Sequence, residues 1–500
     1  MLRLRIKLTL LGSRPAPGMG PSRAPSAAAC GLAQRTAVMS ENAYTKWRTF
    51  GTPTAPCNAT LCLLTHDIPR MTVFTGTGRT ALWVVASVAI TLVCVLLVVN
   101  FMGGEKKIQQ RVERLYSLDD PRFVHELGVL LGPPFLGGNK AQVLLNGDQI
   151  FAPMLAAIRS AQKSITFETY IYWSGDIGRE FADALAQRAR QGVKVHVLLD
   201  WVGSAKVDEK FVDQLTAAGV QIRKFHPPHW SHLGRLNNRT HRKLLIVDGR
   251  TAFTGGVGIA PQWTGSAQDP EHWRDTHFQV EGPVVAQMQA VFLDNWIKVT
   301  GEVPHGSDYF PVLASAGTSA AQVFSSSPSG GSEGMQLMYL LAITAAARSI
   351  DLSAAYFVPD ELSVRALVAA MARGVKLRIV VPGEHIDSET VRSASRATWG
   401  PLLAAGATIA EYRPTMYHCK VLIVDDLLVS VGSTNFDNRS FRLNDEATLN
   451  VMDADFAKQQ RAVFEADLAL ARPISLAEWQ DRPFTEKLGE WGSSLLRSQL

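Results

Sequence analysis

A tandem internal repeat is what most limits the folds open to this 500-residue chain. Residues 161–200 read AQKSITFETYIYWSGDIGREFADALAQRARQGVKVHVLLD, and residues 346–383 read AARSIDLSAAYFVPDELSVRALVAAMARGVKLRIVVPG. Each copy runs strand, loop, amphipathic helix, Gly-Val-Lys turn and apolar strand. Gly192 matches Gly374, the left-handed position that ends each helix. Upstream, Ala141-Gln142-Val143 matches Ala321-Gln322-Val323. A repeat of this length marks a structural unit, so two similar halves are expected over 141–300 and 321–480. A linker over 301–320 joins them, and the Gly/Ser-rich stretch Ala314–Gly334 is where one hands over to the other. Alternating strands and helices predict an α/β fold in which each half is its own sheet flanked by helices.

Each half carries the same chemical constellation. In the first it is His241-Arg242-Lys243, four apolar residues, Asp248, and Gly255 seven residues on. In the second it is His418-Cys419-Lys420, four apolar residues, Asp425, then Gly432 and Asn435. His and Lys two apart on a strand share a face, so each half presents an imidazole beside an ammonium. The Asp closes the strand at a turn, Asp248-Gly249 or Asp425-Asp426. Histidine serves as nucleophile or acid near neutral pH, and lysine neutralises charge building on phosphate oxygens. Two halves therefore supply two histidines, one to attack and one to protonate a leaving oxygen. One such spacing is an ordinary polar strand end; two at equivalent places in a repeat are not.

These residues resemble the paired HKD motifs of the phospholipase D superfamily, and the wider sequence is similar to bacterial cardiolipin synthases of that type. The stretches that carry the resemblance are Phe167-Glu168-Thr169-Tyr170-Ile171, Trp273-Arg274-Asp275-Thr276-His277, Ala355-Tyr356-Phe357-Val358-Pro359-Asp360 and Asn435-Phe436-Asp437-Asn438-Arg439-Ser440-Phe441. The resemblance spans about residues 110–480. It implies two phospholipase D-like halves with the active site between them. It also implies a phosphatidyltransferase that joins two phosphatidylglycerol molecules into cardiolipin and glycerol through a phosphatidyl-histidine. By the same resemblance His241 is the nucleophile and His418 the acid and base, roles that can be exchanged. Lys243 and Lys420 hold the phosphate oxygens, with Asn435 as an extra donor, and Asp248 and Asp425 complete the two sets of catalytic residues that the resemblance implies. A carboxylate after the motif hydrogen-bonds the histidine: Glu446 fills that place in the second half and Asp275 matches it in the first. No metal or cofactor is called for, because the lysines supply the positive charge. One position departs from the pattern, since Gly258 stands where the second half has Asn435. Either a backbone N–H substitutes there or the halves bind phosphate unequally.

Ahead of the repeat, Ala81–Val99 runs nineteen residues without a charge, nearly enough to span a hydrocarbon core of about 30 Å. A single membrane helix is expected over 79–103, followed by a juxtamembrane linker over 104–140. Arg70 and Arg79 precede it, and Lys106, Lys107, Arg111 and Arg114 follow it, which leans towards a cytoplasmic body on a bacterial inner membrane. Residues 1–78 read as a disordered or targeting leader, or as an over-extended reading frame with initiation at Met71. The charge balance supports this division. The whole chain is +5, yet residues 1–70 hold nine basic and two acidic residues, leaving 41 basic against 43 acidic in the rest. A body without basic excess, together with a membrane helix, argues against nucleic acid as a partner and for phospholipid.

Other features are weaker. His226, His229 and His232 suggest a metal site, but Pro227 and Pro228 forbid the helix that would align them, and no carboxylate or thiol joins them, so a loop is expected. With Trp230, Arg235 and Arg239, that loop is either a headgroup contact or plain surface. Tyr170, Tyr172, Trp173, Tyr356 and Phe357 read first as core packing and second as a channel lining. Cys419 faces away from the His-Lys pair and reads as packing. Residues 481–500 form a C-terminal tail. Three rivals remain: a phospholipase D hydrolysing lipid to phosphatidic acid, an endonuclease of the superfamily, and an inactive lipid-binding scaffold.

Overall fold

The computed structural model describes residues 76–101, 108, 110–228, 237–328 and 334–500. The chain divides into a unit over 1–73 and a unit over 74–500, and every described strand and helix belongs to the second. The leader up to residue 75, the end of the expected membrane helix and the start of the adjoining linker (102–107 and 109) lie outside the described residues. So do His229, Trp230, His232 and Arg235.

The first half contributes β1 (Leu136–Leu145), β2 (Ser164–Thr169), β3 (Lys194–Asp200), β4 (Gln221–Phe225), β5 (Arg239–Thr240), β6 (Leu244–Val247), β7 (Thr251–Gly255) and β8 (Thr276–Glu281). The second contributes β9 (Ser319–Ser326), β10 (Ser349–Ala354), β11 (Phe357–Val358), β12 (Lys376–Pro382), β13 (Thr408–Tyr412), β14 (Lys420–Val424), β15 (Leu428–Gly432), β16 (Phe436–Asp437), β17 (Asn444–Met452) and β18 (Ala471–Ile474). The main sheet runs β18-β13-β12-β10-β14-β15-β17-β9-β1-β8-β7-β6-β2-β3-β4. Apart from the extra edge strand β18, the order reads the same from either end. The duplication is thus written in the hydrogen-bond ladder: β2 and β10 are each parallel to the next strand outward and antiparallel to the motif strand. The expectation of a separate sheet per half is corrected here. β1 pairs antiparallel with β9 across a bulge, and the two sheets become one.

The core follows the same logic. One apolar cluster lies in each half, but a third mixes them, setting Phe278, Phe292 and Trp296 with Val421, Leu449 and Phe456. These side chains leave water only when the halves are together, and each buried large residue contributes about 1.5–3 kcal/mol. Helices Val285–Thr300 and Ala454–Ala469 supply much of this shared layer. Helix Gly76–Phe101 is 26 residues long and exposes Leu82, Trp83, Val84, Val85, Val88 and Ile90. Its side chains are described only over 80–96; among the described residues no helix is long and apolar enough to cross a membrane.

The motif aspartates have a structural place, which corrects their inclusion among the catalytic residues. Asp248 and Asp425 sit at the far end of the motif strands, five residues or about 17 Å of extended chain beyond the lysines. Each opens a tight turn at positive φ, 53° and 54°, followed by Gly249 at 60° and Asp426 at 54°. Two successive positive φ values make the turn whose twist suits a hairpin, and Asp tolerates that region better than most side chains. Each carboxylate then accepts from three backbone N–H groups at the start of the neighbouring strand. Asp248 takes Gln162, Lys163 and Ser164, and Asp425 takes Ala347, Arg348 and Ser349, all at 2.7–3.0 Å. Register and strand start are thereby held by one side chain. Asp425→Ala should lower stability by about 1–3 kcal/mol through the orphaned donors, read as a lower thermal midpoint, with Asp425→Asn in between.

Candidate active site

The polar ends of the motif strands meet in one cavity. It is lined by His241 and Lys243 from the first half, His418 and Asn435 from the second, and by Tyr170, Trp263, Trp273, Tyr356, Asp387, Arg239 and Arg439. Both lysines curl back over their own histidines: Lys243 Nζ donates to the His241 carbonyl and Lys420 Nζ to the His418 carbonyl, each at 2.8 Å. Lys420 Nζ also lies 3.2 Å from His418 Nε2.

The carboxylates are exchanged between the halves. His241 Nδ1 donates to Glu446, 3.0 Å from Oε1, and His418 Nδ1 donates to Asp275 Oδ2 at 2.7 Å. Strand register explains the crossing. Gly255 opposes His277 and Gly432 opposes Thr448, so Asp275, just before β8, and Glu446, in β17, occupy equivalent register positions. The backbone repeats the exchange: His241 N–H donates to Asp445 O at 2.9 Å, and His418 N–H to Arg274 O at 2.8 Å. β5 pairs with β17, and Arg274 bridges to Tyr417. Each histidine segment is thus stitched to the other half's carboxylate strand. The motif glycines permit this closeness. A Cβ on Gly255 would sit 2.6 Å from His277 Cα, and one on Gly432 would sit 2.3 Å from Ala447 O.

Burial dominates the electrostatics. It pushes His241 down to about 4, with Lys243 and Lys420 adding to the effect against Glu446. It lowers His418, helped by Lys420. Burial likewise pushes Lys243 down to about 7 and lowers Lys420, despite the facing carboxylates. Burial opposes ionisation of Glu446, but His241, Lys243 and Ser433 outweigh it and keep the carboxyl below its usual range. At neutral pH the cavity is therefore set with neutral imidazoles, each fixed through Nδ1 and presenting Nε2.

The position opposite Asn435 also has a physical reason. A Cβ on Gly258 would lie 2.9 Å from Ile171 Cβ and 3.1 Å from Trp263, so no amide fits. Trp263 fills that space, donates its indole N–H to Asp275 Oδ2 at 3.0 Å and stands edge-on to His418. The two sides of the cavity are chemically unequal: indoles flank His418, whereas Tyr170 flanks His241 and Asn435 has no counterpart. Cys419 is buried in the shared core, and burial raises its thiol. Sequence patterning did not single out Trp263, Asp387, Val391 or Leu500 as cavity residues, whereas Tyr170, Ile171, Arg239, Trp273, Tyr356 and Arg439 stood in stretches already marked.

A family description, "Cardiolipin synthase, PLD-like domain", matches residues 154–296 and 339–468. Among curated relatives, cardiolipin synthase A of Pseudomonas syringae pv. syringae (strain B728a) is 36% identical over 362 residues, covering 71% of this chain and 74% of that protein. Cardiolipin synthase of Geobacillus kaustophilus (strain HTA426) is 35% identical over 389 residues, 77% of each. Among solved structures, phosphatidylserine synthase of Haemophilus influenzae Rd KW20 matches with a TM-score of 0.58 at 15% identity, over 76% of this chain and 100% of that one, a likeness of fold.

Burial pushes the Lys243 ammonium down to about 7, so its charge is lost as pH rises through that range. Binding of diethyl phosphate, a monoanion throughout, should therefore weaken as pH rises through 7. Lys243→Arg, which stays protonated to beyond about 12, should reduce that fall to the share that Lys420 contributes; calorimetric titration of both proteins against pH checks it.

Proposed function

This chain belongs to the phospholipase D-like cardiolipin synthase family, and from that premise we propose that it joins two phosphatidylglycerol molecules into cardiolipin and glycerol. The observation that carries the reading is the pair of buried histidines, each oriented by a carboxylate of the other half, opening into one cavity lined by Lys243, with Lys420 against His418. His241 Nε2 attacks the phosphorus of the first lipid. A P–N bond forms, the P–O bond to glycerol breaks, and His418 gives its proton to the departing oxygen. His418 then takes the hydroxyl proton of the second lipid's glycerol, whose oxygen attacks phosphorus as the P–N bond breaks. The anionic diester favours the His418 imidazolium as it arrives, and Asp275 steadies it. Lys243, Lys420 and Asn435 meet the phosphate oxygens where charge builds.

Hydrolysis differs only in which hydroxyl resolves the intermediate. Trp263, Trp273 and Tyr170 around the histidines favour an apolar, water-poor cavity, which supports the lipid alcohol over water. A nuclease is disfavoured by a body with no basic excess, and a dead scaffold by two complete His-Lys pairs. We further read helix Gly76–Phe101, with its uncharged run to Val99, as the anchor that holds the enzyme on the bacterial inner membrane, with the body on the cytoplasmic side. Residues 141–300 and 321–480 are read as the two catalytic halves.

Purified protein incubated with phosphatidylglycerol in detergent should yield cardiolipin and free glycerol, separated by thin-layer chromatography. Phosphatidic acid as the sole product would sink the synthase reading. His241→Ala and His418→Ala should each cut turnover by at least ~10²-fold.

A further inference from the structure

The C-terminal helix Phe484–Ser494 is built with its polarity reversed. Glu490 is only 4% exposed and pairs with Arg482 at 2.5 Å and Arg396 at 3.4 Å, while Glu486 also reaches Arg396 at 3.4 Å. Both glutamates thus turn towards arginines of the body, while Lys487 stays exposed. Phe484, Leu488, Trp491 and Leu495, by contrast, are 76%, 54%, 62% and 65% exposed. At about 100° per residue these four fall within an arc of roughly 60°, with Glu486 and Glu490 on the far side. A helix facing water carries the opposite arrangement.

The end of the same segment, at Leu500, reaches the catalytic cavity. The helix packs on Glu389–Arg396, whose Val391 lines the cavity together with Leu500. Arg439 N–H donates to the Leu500 carbonyl at 2.9 Å, and Asn438 Nδ2 to the Arg497 carbonyl at 3.0 Å. The outward apolar stripe therefore ends at Leu495, five residues before Leu500 lines the cavity holding His241 and His418.

We propose that this stripe lies in the interfacial layer of the bilayer and seats the cavity mouth on the surface that holds the phospholipid. The inference rests on the phosphatidyltransferase reading for the identity of that substrate. A second copy of the chain is a poorer occupant. A helix of eleven residues offers a face about 16 Å long and ~10 Å wide, far short of the roughly 800 Å² per partner of a stable complex. Trp491 adds an indole N–H to an apolar body, the combination enriched where hydrocarbon meets headgroups.

The test uses the full chain reconstituted in phosphatidylglycerol vesicles. With lipids brominated along the acyl chain, the natural protein should lose more tryptophan fluorescence than Trp491→Phe; equal quenching overturns the proposal. Leu488→Ser with Trp491→Ser should lower turnover on vesicles about tenfold and leave turnover on short-chain, monomeric phosphatidylglycerol unchanged. Equal loss on both substrates overturns it, and so does a change of oligomeric state by mass photometry, which would point to a second copy. Quenching at Trp491 in a protein that makes no cardiolipin from either substrate would leave the bilayer contact standing and remove the transferase reading.

Discussion

Everything in this molecule that bears on chemistry depends on the exchange of carboxylates between the halves. A buried imidazole is useful only if its tautomer and direction are held, and here the residue that holds each one comes from 143 or 205 positions away in the chain. Neither half can orient its own histidine. The shared apolar layer, the joined sheet and the β5–β17 pairing exist at the place where that exchange has to be accurate. The ion pairs between Arg274 and Asp467 at 2.8 Å and between Arg242 and Asp445 at 3.7 Å tie the same strands together again. These pairs are buried and cross the interface, so losing one partner leaves a charge stranded.

Much of this was legible because it repeats. The His-x-Lys spacing put imidazole and ammonium on one face, and both lysines do lie over their own histidines. The match of Ala141-Gln142-Val143 with Ala321-Gln322-Val323 holds in the ladder, where Ala141 opposes Val280 and Ala321 opposes Val451. Gly192 and Gly374 end their helices at φ 88° and 94°. Local pattern carries such features because their causes lie within a few residues.

What escaped the sequence has long-range causes. The motif order Asp275 after His241, and Glu446 after His418, suggests pairing within each half; only the register of β8 and β17 against the opposite motif segments reveals the exchange. Trp263 gave no signal, because its role depends on the empty volume beside Gly258. The aspartates looked catalytic by association with the motif, yet their oxygens are spent on backbone N–H groups at the far strand end. Fusion of the two sheets turns on two register pairs across a bulge, which no periodicity encodes.

The crossed pairing has an evolutionary corollary. If a single half-length chain assembled this centre by dimerising about a two-fold axis, any substitution on one side would be imposed on the other. Covalent tethering lifts that symmetry while keeping the exchange that makes each histidine competent. Gly258 facing Asn435, and indoles on one side where the other has a tyrosine, are what broken symmetry looks like once each side can drift independently. Such a centre can then treat the lipid that donates its phosphorus differently from the lipid that receives it.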